Sequence, residues 1–451
     1  MGAGKTTVGA DVAERLGRPF VDVDEEIERR AGATIAELFE RSEAAFRKLE
    51  EEIVGEALQR SSPGVIALGG GSVLSKRTRA ALRERALCVL LEIEVDAAWE
   101  RAGGAGRPLA RNKEQFQALY AERQPVYDDV ANATARDAND VVLGAAGVHV
   151  GIGLLERLGE LVPGEGPIAL VADAHVAGIY GMDVQLALGA RLASTHEVAG
   201  KTSADLDALW RSLHLDRGGT VVALGCGTTT DLAGFAAATY MRGIDWVAVP
   251  TSLVGQVDAA IGGKTAIDLP EAKNLAGAFH WPVRTVVDPA LLSTLPEEER
   301  RNGLAEVVKT GLLAGEPLWE LPEPELVRRC AAFKAALCLR DPHDHGPRHA
   351  LNLGHTFAHA LEAASGYELP HGHAVALGLL AALRLSGRDT SPVDEVLAPG
   401  PVRVERDRAW EALLRDKKGR LRIVLLGEDG PHETELPEAD VRTALDALIA
   451  E

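Results

Sequence analysis

Short apolar runs rich in β-branched residues alternate with helical patterns along most of the chain. The runs are PFVDVD, GVIALGGG, LCVLLEI, IALVAD and VVALG. Strands that alternate with helices are typical of parallel sheets covered by helices, so the pattern predicts an α/β fold. From about residue 290 the apolar runs give way to helical periodicity, as in NGLAEVVKTGLL and HAVALGLLAALRLS. We therefore expect a helical lobe after the last strand.

The periodicity loosens between residues 137 and 165, which predicts a domain boundary near residue 145. The pattern thus predicts three regions: a first α/β domain at 1–145, a second α/β lobe at 146–290 and a helical lobe at 291–451. A helical lobe that closes on an α/β lobe forms a cleft, which is a usual place for a site.

Composition narrows the class of partner. The net charge of −19 over 451 residues argues against a protein that coats nucleic acid. No apolar run approaches the roughly 18 residues of a membrane span. The four cysteines are scattered without CxxC spacing, as is typical of reduced thiols. We therefore expect a cytoplasmic protein that acts on small molecules and binds neither nucleic acid nor membrane.

The first seven residues, MGAGKTT, contain most of a phosphate-binding loop. Gly4, Lys5 and Thr6 fill the last three places of G-x-x-x-x-G-K-S/T, and Gly2 lies in the same loop. Such a loop supplies backbone donors and an ammonium to phosphates and a hydroxyl to Mg²⁺. The strand that precedes the loop in the complete pattern would lie upstream of Met1. We therefore expect the natural chain to start further upstream.

The segment PFVDVDEEIE predicts a strand that ends at acidic residues. Side chains at i and i+2 of a strand share a face, so Asp22 and Asp24 would point to the same side. One carboxylate could then assist Mg²⁺ and the other accept hydrogen bonds from substrate hydroxyls. The alternative is that Asp24 caps the following helix.

Four further features of the first domain could contact an anionic ligand. Arg47 lies on a predicted helix and could bind a carboxylate, or pair at the surface with an acidic neighbour one turn away. The glycines Gly69–Gly71 follow a buried strand and would let a ligand approach the backbone closely. Arg107 lies in the glycine-flanked loop GGAGRPLARN, which is typical of a lid over phosphates. Arg123 lies on a predicted helix.

In this order the motifs resemble shikimate kinase: P-loop, D-x-D, F-R-x-x-E, G-G-G, R-P-L and R-x-x-x-Y. The resemblance implies 3-phosphorylation of shikimate by ATP. It implies that Thr6 and Asp22 hold Mg²⁺, and that Gly2, Gly4, Lys5 and Thr6 bind ATP. It implies catalytic roles for Lys5, Asp24 and Arg107. The implied shikimate-binding residues are Asp24, Arg47, Gly69, Gly70 and Arg123.

The segment GGTVVALGCGTTTDLAGF predicts a buried strand, a glycine turn and a helix. Gly225 and Gly227 would permit close approach of a pyrophosphate to the helix N-terminus. Asp231 could be a helix cap. A single G-x-G is weak evidence for a dinucleotide.

The segment QVDAAIGGKTAIDLPEAKNLAGAF is loop-like and places four polar residues among small apolar ones. These are Asp258, Lys264, Lys273 and Asn274. Because loops often carry binding residues, the segment is a candidate site. The alternative is a solvated turn.

Seven of the thirteen histidines lie between residues 343 and 373. His355 and His359 are spaced i,i+4 on a predicted helix, His371 opens the next helix, and Glu306 shares a helical face with Lys309. A glutamate with two or three histidines is typical of a zinc site with one open position. Spacing alone nominates His355 and His359 as the ligand pair, and a structural role for that pair is the alternative.

From about residue 150 the chain resembles 3-dehydroquinate synthase. The family motifs Q-V-D-x-x-x-G-G-K-T, G-K-N-L-x-G-x-F, L-A-E-V-x-K and L-N-L-G-H-T-x-x-H appear in order. The resemblance implies NAD- and metal-dependent conversion of 3-deoxy-D-arabino-heptulosonate 7-phosphate to 3-dehydroquinate and phosphate, with NAD regenerated. It names Glu306, His355 and His371 as ligands of Zn²⁺ or Co²⁺ and makes His359 an acid–base residue instead of a ligand. It also suggests a homodimer through this half.

The same resemblance implies roles for a wider set of residues. The implied catalytic residues are Asp258, Lys264, Lys309, Arg348, Asn352 and His359. The implied substrate-binding residues are Asp258, Lys264, Lys273, Asn274, Lys334 and Lys417. The implied NAD-binding residues are Asp173, Gly225, Gly227, Thr228 and Asp231.

The chain departs from the synthase pattern at four places. Cys226 replaces a glycine, which the backbone accepts if its φ is negative. The segment THEVAGKT resembles the family's G-E-x-x-K segment but has one extra residue, so Glu197 and Lys201 are uncertain NAD contacts. His373 replaces the glutamate of H-G-E-A-V, and Asp344 is the candidate equivalent of a family glutamate.

The favoured hypothesis is a bifunctional enzyme of the shikimate pathway. A second hypothesis keeps the synthase but makes the first domain a nucleotide-binding module without turnover. A third makes the second half a related sugar phosphate cyclase or a metal-dependent alcohol dehydrogenase.

Overall fold

The computed structural model describes residues 2–102, 112–416 and 421–450. The predicted site residues Arg107 and Lys417 lie outside the described residues. The chain divides into two compact units, Met1–Ala146 and Gly147–Glu451. Both units mix strands with helices, so the predicted α/β class is confirmed. Among the described helices, none is both long enough and apolar enough to cross a membrane.

The first unit contains two parallel strand pairs surrounded by helices. Its helices are α1 (Lys5–Leu16), α2 (Val23–Ala31), α3 (Ile35–Leu58), α4 (Lys76–Arg85), α5 (Val95–Ala102), α6 (Lys113–Val130) and α7 (Ala138–Ala145). Its strands are β1 (Phe20–Asp22), β2 (Val65–Ala67), β3 (Val89–Leu91) and β4 (Ala133–Ala135). Strand β1 pairs with β2, and β3 pairs with β4. An apolar cluster between α2 and α3, which includes Ile27 and Phe46, holds these helices together.

The second unit contains ten strands and eleven helices among its described residues. Its strands are β5 (Val148–Val150), β6 (Ile168–Asp173), β7 (Leu192–Val198), β8 (Thr220–Gly225), β9 (Asp245–Pro250), β10 (Lys264–Leu269), β11 (Ala272–Phe279), β12 (Arg284–Val287), β13 (Arg422–Gly427) and β14 (Gly430–Glu435). Its helices are α8 (Leu158–Leu161), α9 (Ala174–Leu188), α10 (Ser203–Ser212), α11 (Gly227–Thr239), α12 (Glu297–Ala314), α13 (Glu323–Arg340), α14 (His355–Ala364), α15 (His371–Leu385), α16 (Ser391–Val396), α17 (Arg406–Asp416) and α18 (Glu438–Asp446).

Six of these strands form one parallel sheet in the order β5-β12-β9-β8-β6-β7. Alternate residues of β6 and β8 face opposite sides, and each side carries its own apolar core. Helix α9 connects β6 to β7 and packs on one side of the sheet, whereas α10 connects β7 to β8 and packs on the other. Strands β7 and β8 lie on opposite flanks of β6, so the strand order reverses at β6. This reversal opens a crevice at the carboxyl ends of β6 and β8, where α/β proteins commonly bind ligands.

Two hairpins contradict the sequence-based expectations. Strands β10 and β11 form an antiparallel hairpin, so Lys264, Lys273 and Asn274 lie on strands and not in a loop. Strands β13 and β14 form a second hairpin within the lobe that was expected to be wholly helical. Both hairpins lie outside the main sheet. In the first hairpin, polar residues alternate irregularly with small apolar ones, and this composition is typical of a loop.

The helical lobe packs tightly where α14 meets α15. A Cβ atom at Gly378 would overlap the backbone of Gly354, the residue just before α14. Glycine at position 378 therefore lets α15 approach the start of α14 closely. This contact helps to set the separation of His355 and His371, which begin the two helices.

Candidate active sites

The loop before α1 has the conformation of an anion cradle. Gly2 and Gly4 have φ angles of 68° and 79°, in the region that favours glycine. Gly4 is the N-cap of α1, and because glycine has no side chain, it does not cap the first N–H groups of the helix. The N–H groups of the first helical turn, which contains Lys5 and Thr6, are therefore suited to phosphate oxygens.

Thr6 and Asp22 lie together beside this cradle. The Thr6 hydroxyl donates to Asp22 Oδ2 at 2.5 Å. A hydroxyl and a carboxylate next to a phosphate cradle are suitable ligands for Mg²⁺, directly or through water. The donor set therefore fits the metal that a nucleotide would bring.

The predicted shared strand face of Asp22 and Asp24 is wrong. Strand β1 ends at Asp22, which caps α2 by accepting hydrogen bonds from the N–H groups of Asp24 at 2.9 Å and Glu25 at 3.4 Å. The alternative, with Asp24 as the cap, is also wrong. Asp24 lies instead in the first turn of α2, because the cap two residues earlier starts the helix there.

Asp24 and Arg47 both face the glycines that follow β2. A Cβ atom at Gly69 would lie 2.8 Å from Asp24 Oδ1, and one at Gly71 would overlap the Arg47 guanidinium. Arg47 donates to the buried carboxylate of Glu50 at 2.7 Å, and it lies 3.5 Å from exposed Glu43. Both alternatives for Arg47 thus have a contact: the guanidinium lies at the glycine turn, and exposed Glu43 lies near it.

Arg123 closes the same turn from α6. Its Nη1 donates to the carbonyl oxygen of Gly70 at 3.2 Å, and the Tyr127 hydroxyl donates to that oxygen at 2.7 Å. Arg123 is buried despite its charge. The structure thus brings together every described residue that was predicted to bind shikimate.

In the second unit, the N-terminus of α11 fits a pyrophosphate. Strand β8 ends at Gly225, where a Cβ atom would lie 2.9 Å from the Thr229 Cβ atom. Cys226 is the N-cap, and its side chain makes no capping hydrogen bond. The N–H groups of the first turn, including Gly227 and Thr228, are therefore available to an anion. Cys226 has a φ of −79°, so the backbone accepts this departure from glycine.

The two predicted acidic NAD contacts have different local roles. Asp173 ends β6 and caps α9, accepting from His175 N–H at 2.9 Å. Asp231 lies inside α11, so the cap alternative for Asp231 is wrong. Burial raises the pKa of Asp231, although its ion pair with Lys201 at 2.7 Å opposes that shift. Lys201 also donates to the side-chain oxygen of Asn274.

Glu306, His355 and His371 form a compact group of metal-ligand atoms. One ligand atom from each lies within 4.8 Å of the others. The Glu306 Oε1 atom is 3.1 Å from His371 Nε2 and 3.4 Å from His355 Nε2. One carboxylate and two imidazoles are a donor set that suits Zn²⁺ or Co²⁺, so these residues fit a divalent metal. The i,i+4 partner His359 is outside this group, although its ring lies edge-on to His355.

Charge determines the protonation of these ligands before a metal binds. Burial and the neighbouring Lys309 ammonium lower the pKa of His355. Burial also acts to lower the pKa of His371, but hydrogen bonds to Glu306 and Glu362 outweigh it and raise that pKa to about 10. The metal-free group therefore holds His355 neutral and His371 protonated at neutral pH.

A chain of buried ion pairs extends from this group toward the sheet. Lys309 pairs with Glu306 and lies 3.7 Å from Asp258, which accepts from Lys334 at 2.8 Å. Burial opposes ionisation of Asp258, yet the two ammonium groups outweigh burial and lower its pKa. Asp258 lies on the π-helical turn Gly255–Ala259. Such turns are frequent at functional sites.

The remaining predicted residues surround this chain of ion pairs. Lys264 pairs with Asp344. Arg348 is buried, donates to the carbonyl oxygen of Pro342 at 3.3 Å and lies over the Phe279 ring. Asn352 ends the 3₁₀ turn Pro347–Asn352, just before α14. His359 is exposed on α14, and His373 bonds to the Gly400 carbonyl oxygen at 2.7 Å, so His373 is not part of the metal-ligand group.

Comparison with known proteins matches both units. The shikimate kinase family model matches residues 1–143, and the models of the N-terminal and C-terminal parts of 3-dehydroquinate synthase match 194–302 and 303–398. The bifunctional shikimate kinase/3-dehydroquinate synthase of Thermotoga maritima is 32% identical over an alignment of 479 positions, and the alignment covers 96% of each chain. The chain belongs to this bifunctional family. It is therefore an enzyme of aromatic amino acid biosynthesis, with a kinase unit and a synthase unit.

Two further relatives match the synthase unit. The 3-dehydroquinate synthase of Bordetella pertussis is 39% identical over 345 residues, which cover 67% of this chain and 96% of that one. The structure of 2-epi-5-epi-valiolone synthase from Streptomyces hygroscopicus, with NAD⁺ and Zn²⁺ bound, is 26% identical with a TM-score of 0.58. That match covers 67% of this chain and 96% of the other.

Glu362 was not nominated by the sequence analysis, whereas Glu50 entered it only as part of the F-R-x-x-E motif and Lys201 only as an uncertain NAD contact; each of the three contacts a predicted site residue. Glu362 accepts from His371 Nδ1 at 3.2 Å and so orients a metal ligand. Its spacing from His355 and His359 places it on their helical face, which could have identified it. Glu50 holds Arg47, and Lys201 joins Asp231 to Asn274 across the synthase unit.

We predict that zinc uptake by the metal-free synthase unit strengthens as pH rises from 7 to 9. His371 has a pKa raised to about 10, so it must lose a proton before it can bind metal. Below that pKa each pH unit should change the apparent Kd by about tenfold, with about one proton released. Chelator-buffered zinc titrations and calorimetry in buffers of different ionisation enthalpy measure both quantities.

Glu362→Gln is the control for this prediction, because it removes one of the two carboxylates that raise the His371 pKa. It should flatten the pH dependence. Equal zinc affinity at pH 7 and 9 in the unmodified protein, without proton release, would contradict the prediction.

Proposed function

We propose that the enzyme catalyses two reactions of the shikimate pathway. The kinase unit transfers a phosphoryl group from ATP to the 3-hydroxyl of shikimate. The synthase unit converts 3-deoxy-D-arabino-heptulosonate 7-phosphate to 3-dehydroquinate and phosphate, with NAD and Zn²⁺ or Co²⁺. The observation that carries the synthase proposal is the connection between the metal-ligand group and the N-terminus of α11.

That connection runs through the π-helical turn Gly255–Ala259. The Ala259 Cβ atom lies 3.4 Å from the position that a Cβ atom at Gly227 would take. On the same turn, Asp258 lies beside Lys309, which pairs with Glu306. One short segment thus lies against the proposed NAD-binding turn and is connected through Lys309 to the metal-ligand group, as a reaction that needs NAD and a metal at one substrate requires.

The protein residues supply charge and proton exchange around this centre. When bound, the metal would polarise a substrate oxygen as a Lewis acid, and NAD would accept and return a hydride. Lys264, Lys273 and Arg348 carry positive charges suited to the phosphate and carboxylate of the substrate. His359, exposed next to His355, is placed to exchange a proton with the substrate.

The kinase proposal is supported by two adjoining groups of residues. Thr6 and Asp22 would hold Mg²⁺ beside the phosphate cradle, and Lys5 would neutralise phosphate charge. Arg47 and Arg123 converge with the carboxylate of Asp24 at the glycines after β2. Guanidinium groups bind a substrate carboxylate, and a carboxylate accepts hydrogen bonds from hydroxyls, so the set suits shikimate.

We also propose that the synthase unit forms a homodimer through α9. Ile179, Met182 and Leu186 share one face of this helix and are 40%, 68% and 72% exposed. Helix α9 contains one carboxylate, Asp183, and one histidine, His175, and has no lysine or arginine. A nearly uncharged apolar face is typical of subunit interfaces, and a two-fold axis would pack the helix against its own copy.

We place the enzyme in the cytoplasm, where four free thiols would stay reduced.

We predict that Glu306→Ala abolishes both bound zinc and phosphate release from the seven-carbon substrate. The variant removes the carboxylate that lies at the centre of the ligand group. Shikimate-dependent ADP formation should be unchanged, because it belongs to the other unit. Metal analysis after zinc reconstitution, a phosphate assay and a coupled ADP assay on the same preparation measure the three quantities.

The matched control is Glu298→Ala, which removes an exposed carboxylate from the same helix. It should retain zinc and activity. Zinc retained by Glu306→Ala would contradict the metal site, and net NADH accumulation in the unmodified enzyme would indicate a dehydrogenase instead of a synthase.

We predict that Glu50→Gln raises the KM for shikimate by about tenfold and changes the KM for ATP little. Glu50 is buried and holds the Arg47 guanidinium at 2.7 Å, and loss of a charged hydrogen bond of this kind has an effect of that order. Glu43→Gln is the matched control, because exposed Glu43 lies 3.5 Å from the same arginine. Steady-state kinetics with each substrate varied provide the measurement.

Equal effects of Glu50→Gln and Glu43→Gln would refute this account of Arg47. An unmodified enzyme that forms no ADP in response to shikimate would leave the kinase unit as a nucleotide-binding module without turnover.

We predict that Leu186→Glu weakens dimerisation by about tenfold or more, because it buries a charge in an apolar contact. Light scattering across a concentration series measures the monomer–dimer midpoint. Ala208→Glu adds the same charge at an exposed position of α10 and should leave the midpoint unchanged. A midpoint unaffected by Leu186→Glu would exclude α9 as the interface.

A further inference from the structure

The loop between α14 and α15 contains Tyr367, a residue that has no role in the reaction proposed above. Tyr367 has a φ of 67°, in the left-handed region, directly after Gly366 at 66°. Its N–H group donates to the carbonyl oxygen of Glu362 at 2.7 Å. The loop therefore turns sharply four residues before His371 and fixes the direction in which the tyrosine side chain leaves the backbone.

The face of this tyrosine meets a lysine of the hairpin. Lys273 lies near the start of β11, and its ammonium nitrogen is 4.4 Å from the centre of the Tyr367 ring. An ammonium over an aromatic face is attracted by the ring quadrupole. Because Lys273 is exposed and its side chain has many rotamers, this contact restricts where its charge lies.

The tyrosine loop also links Lys273 to the residue that orients His371. The Tyr367 N–H group donates to the carbonyl oxygen of Glu362, and the Glu362 carboxylate lies 3.2 Å from His371 Nδ1. The ring that contacts Lys273 therefore belongs to a residue that is hydrogen-bonded to Glu362, beside the metal-ligand group.

We propose that Tyr367 is a positioning residue of the synthase, which acts by holding the Lys273 ammonium beside the metal-ligand group. The proposal rests on the function proposed above, in which Lys273 binds an anionic group of the substrate. Tyr367 is 42% exposed, so its ring is not a core residue whose main effect is on folding. Through this contact the β10–β11 hairpin packs against the loop between α14 and α15 of the helical lobe.

The test compares Tyr367→Leu with Tyr367→Phe. Leucine removes the aromatic face but keeps a Cβ atom, so the cost of the left-handed backbone is the same in both variants. Tyr367→Leu should raise the KM for 3-deoxy-D-arabino-heptulosonate 7-phosphate by about three- to tenfold, with kcat within about twofold. Tyr367→Phe should keep the KM of the unmodified enzyme. Trp210→Leu, which removes an exposed aromatic side chain from α10, is the matched control and should also have no effect.

A purely structural role predicts a different pattern. If Tyr367 only supports the loop, Tyr367→Leu should lose bound zinc or lower kcat without changing KM. That outcome would overturn the proposal, as would an unchanged KM in Tyr367→Leu. It would also be overturned by an effect of Tyr367→Phe as large as that of Tyr367→Leu, because the hydroxyl and not the ring face would then be responsible.

A second measurement does not depend on turnover. An aromatic face stabilises the protonated amine and shields it, so acetylation of Lys273 by an N-hydroxysuccinimide ester at pH 8 should be about threefold faster in Tyr367→Leu. The rates in Tyr367→Phe and Trp210→Leu should match the unmodified protein, with labelling followed by peptide mass spectrometry. Equal rates in all four proteins would overturn the proposal. If the unmodified enzyme released no phosphate, the proposed function would fail, while the labelling rates would still decide whether the ring holds Lys273.

Discussion

The synthase site depends on one buried carboxylate. Glu306 is fully buried, and a bare charge at such a position is strongly unfavourable unless opposite charges or a metal compensate it. Lys309, His355 and His371 surround it, and although burial raises the Glu306 pKa, the Lys309 ammonium and the hydrogen bonds from the two histidines outweigh burial and hold that pKa well below its usual range. The requirement to compensate this charge therefore draws side chains from three helices of the lobe to one point, where the proposed metal would add a further positive charge.

The ion pairs of Glu306 also link the helical lobe to the segment that follows β9 of the sheet. Lys309 is shared between Glu306 and Asp258, and Asp258 also takes the charge of Lys334. Because Asp258 lies on a π-helical turn that packs against the start of α11, a few contacts connect the metal-ligand group to the glycine turn that is proposed to bind NAD. The hairpin β10–β11 adds a second connection, in which Lys201 and Lys273 link the hairpin to α11 and to the tyrosine loop.

The kinase unit uses the same principle on a smaller scale. The carboxylate of Asp22 caps α2 and accepts from Thr6, so one side chain fixes a helix start and lies where the proposed Mg²⁺ would bind. The buried carboxylate of Glu50 holds Arg47 and accepts from Ser72. In the kinase unit the Glu50 carboxylate thus determines where the Arg47 charge lies, as the Glu362 carboxylate orients His371 in the synthase unit.

The sequence alone determined the α/β class, the kinase and synthase family motifs and the types of residue available to each site, because periodicity and local motifs are short-range properties. It did not determine the end of β1 at Asp22 or the two hairpins, because a strand becomes stable only through a partner that lies elsewhere in the chain. Helical spacing likewise identified His355 and His359 as neighbours, but His371 joins Glu306 because α15 packs on α14 at Gly378. Spacing reports which side chains share a face of one helix, and only tertiary packing decides which face of another element meets it.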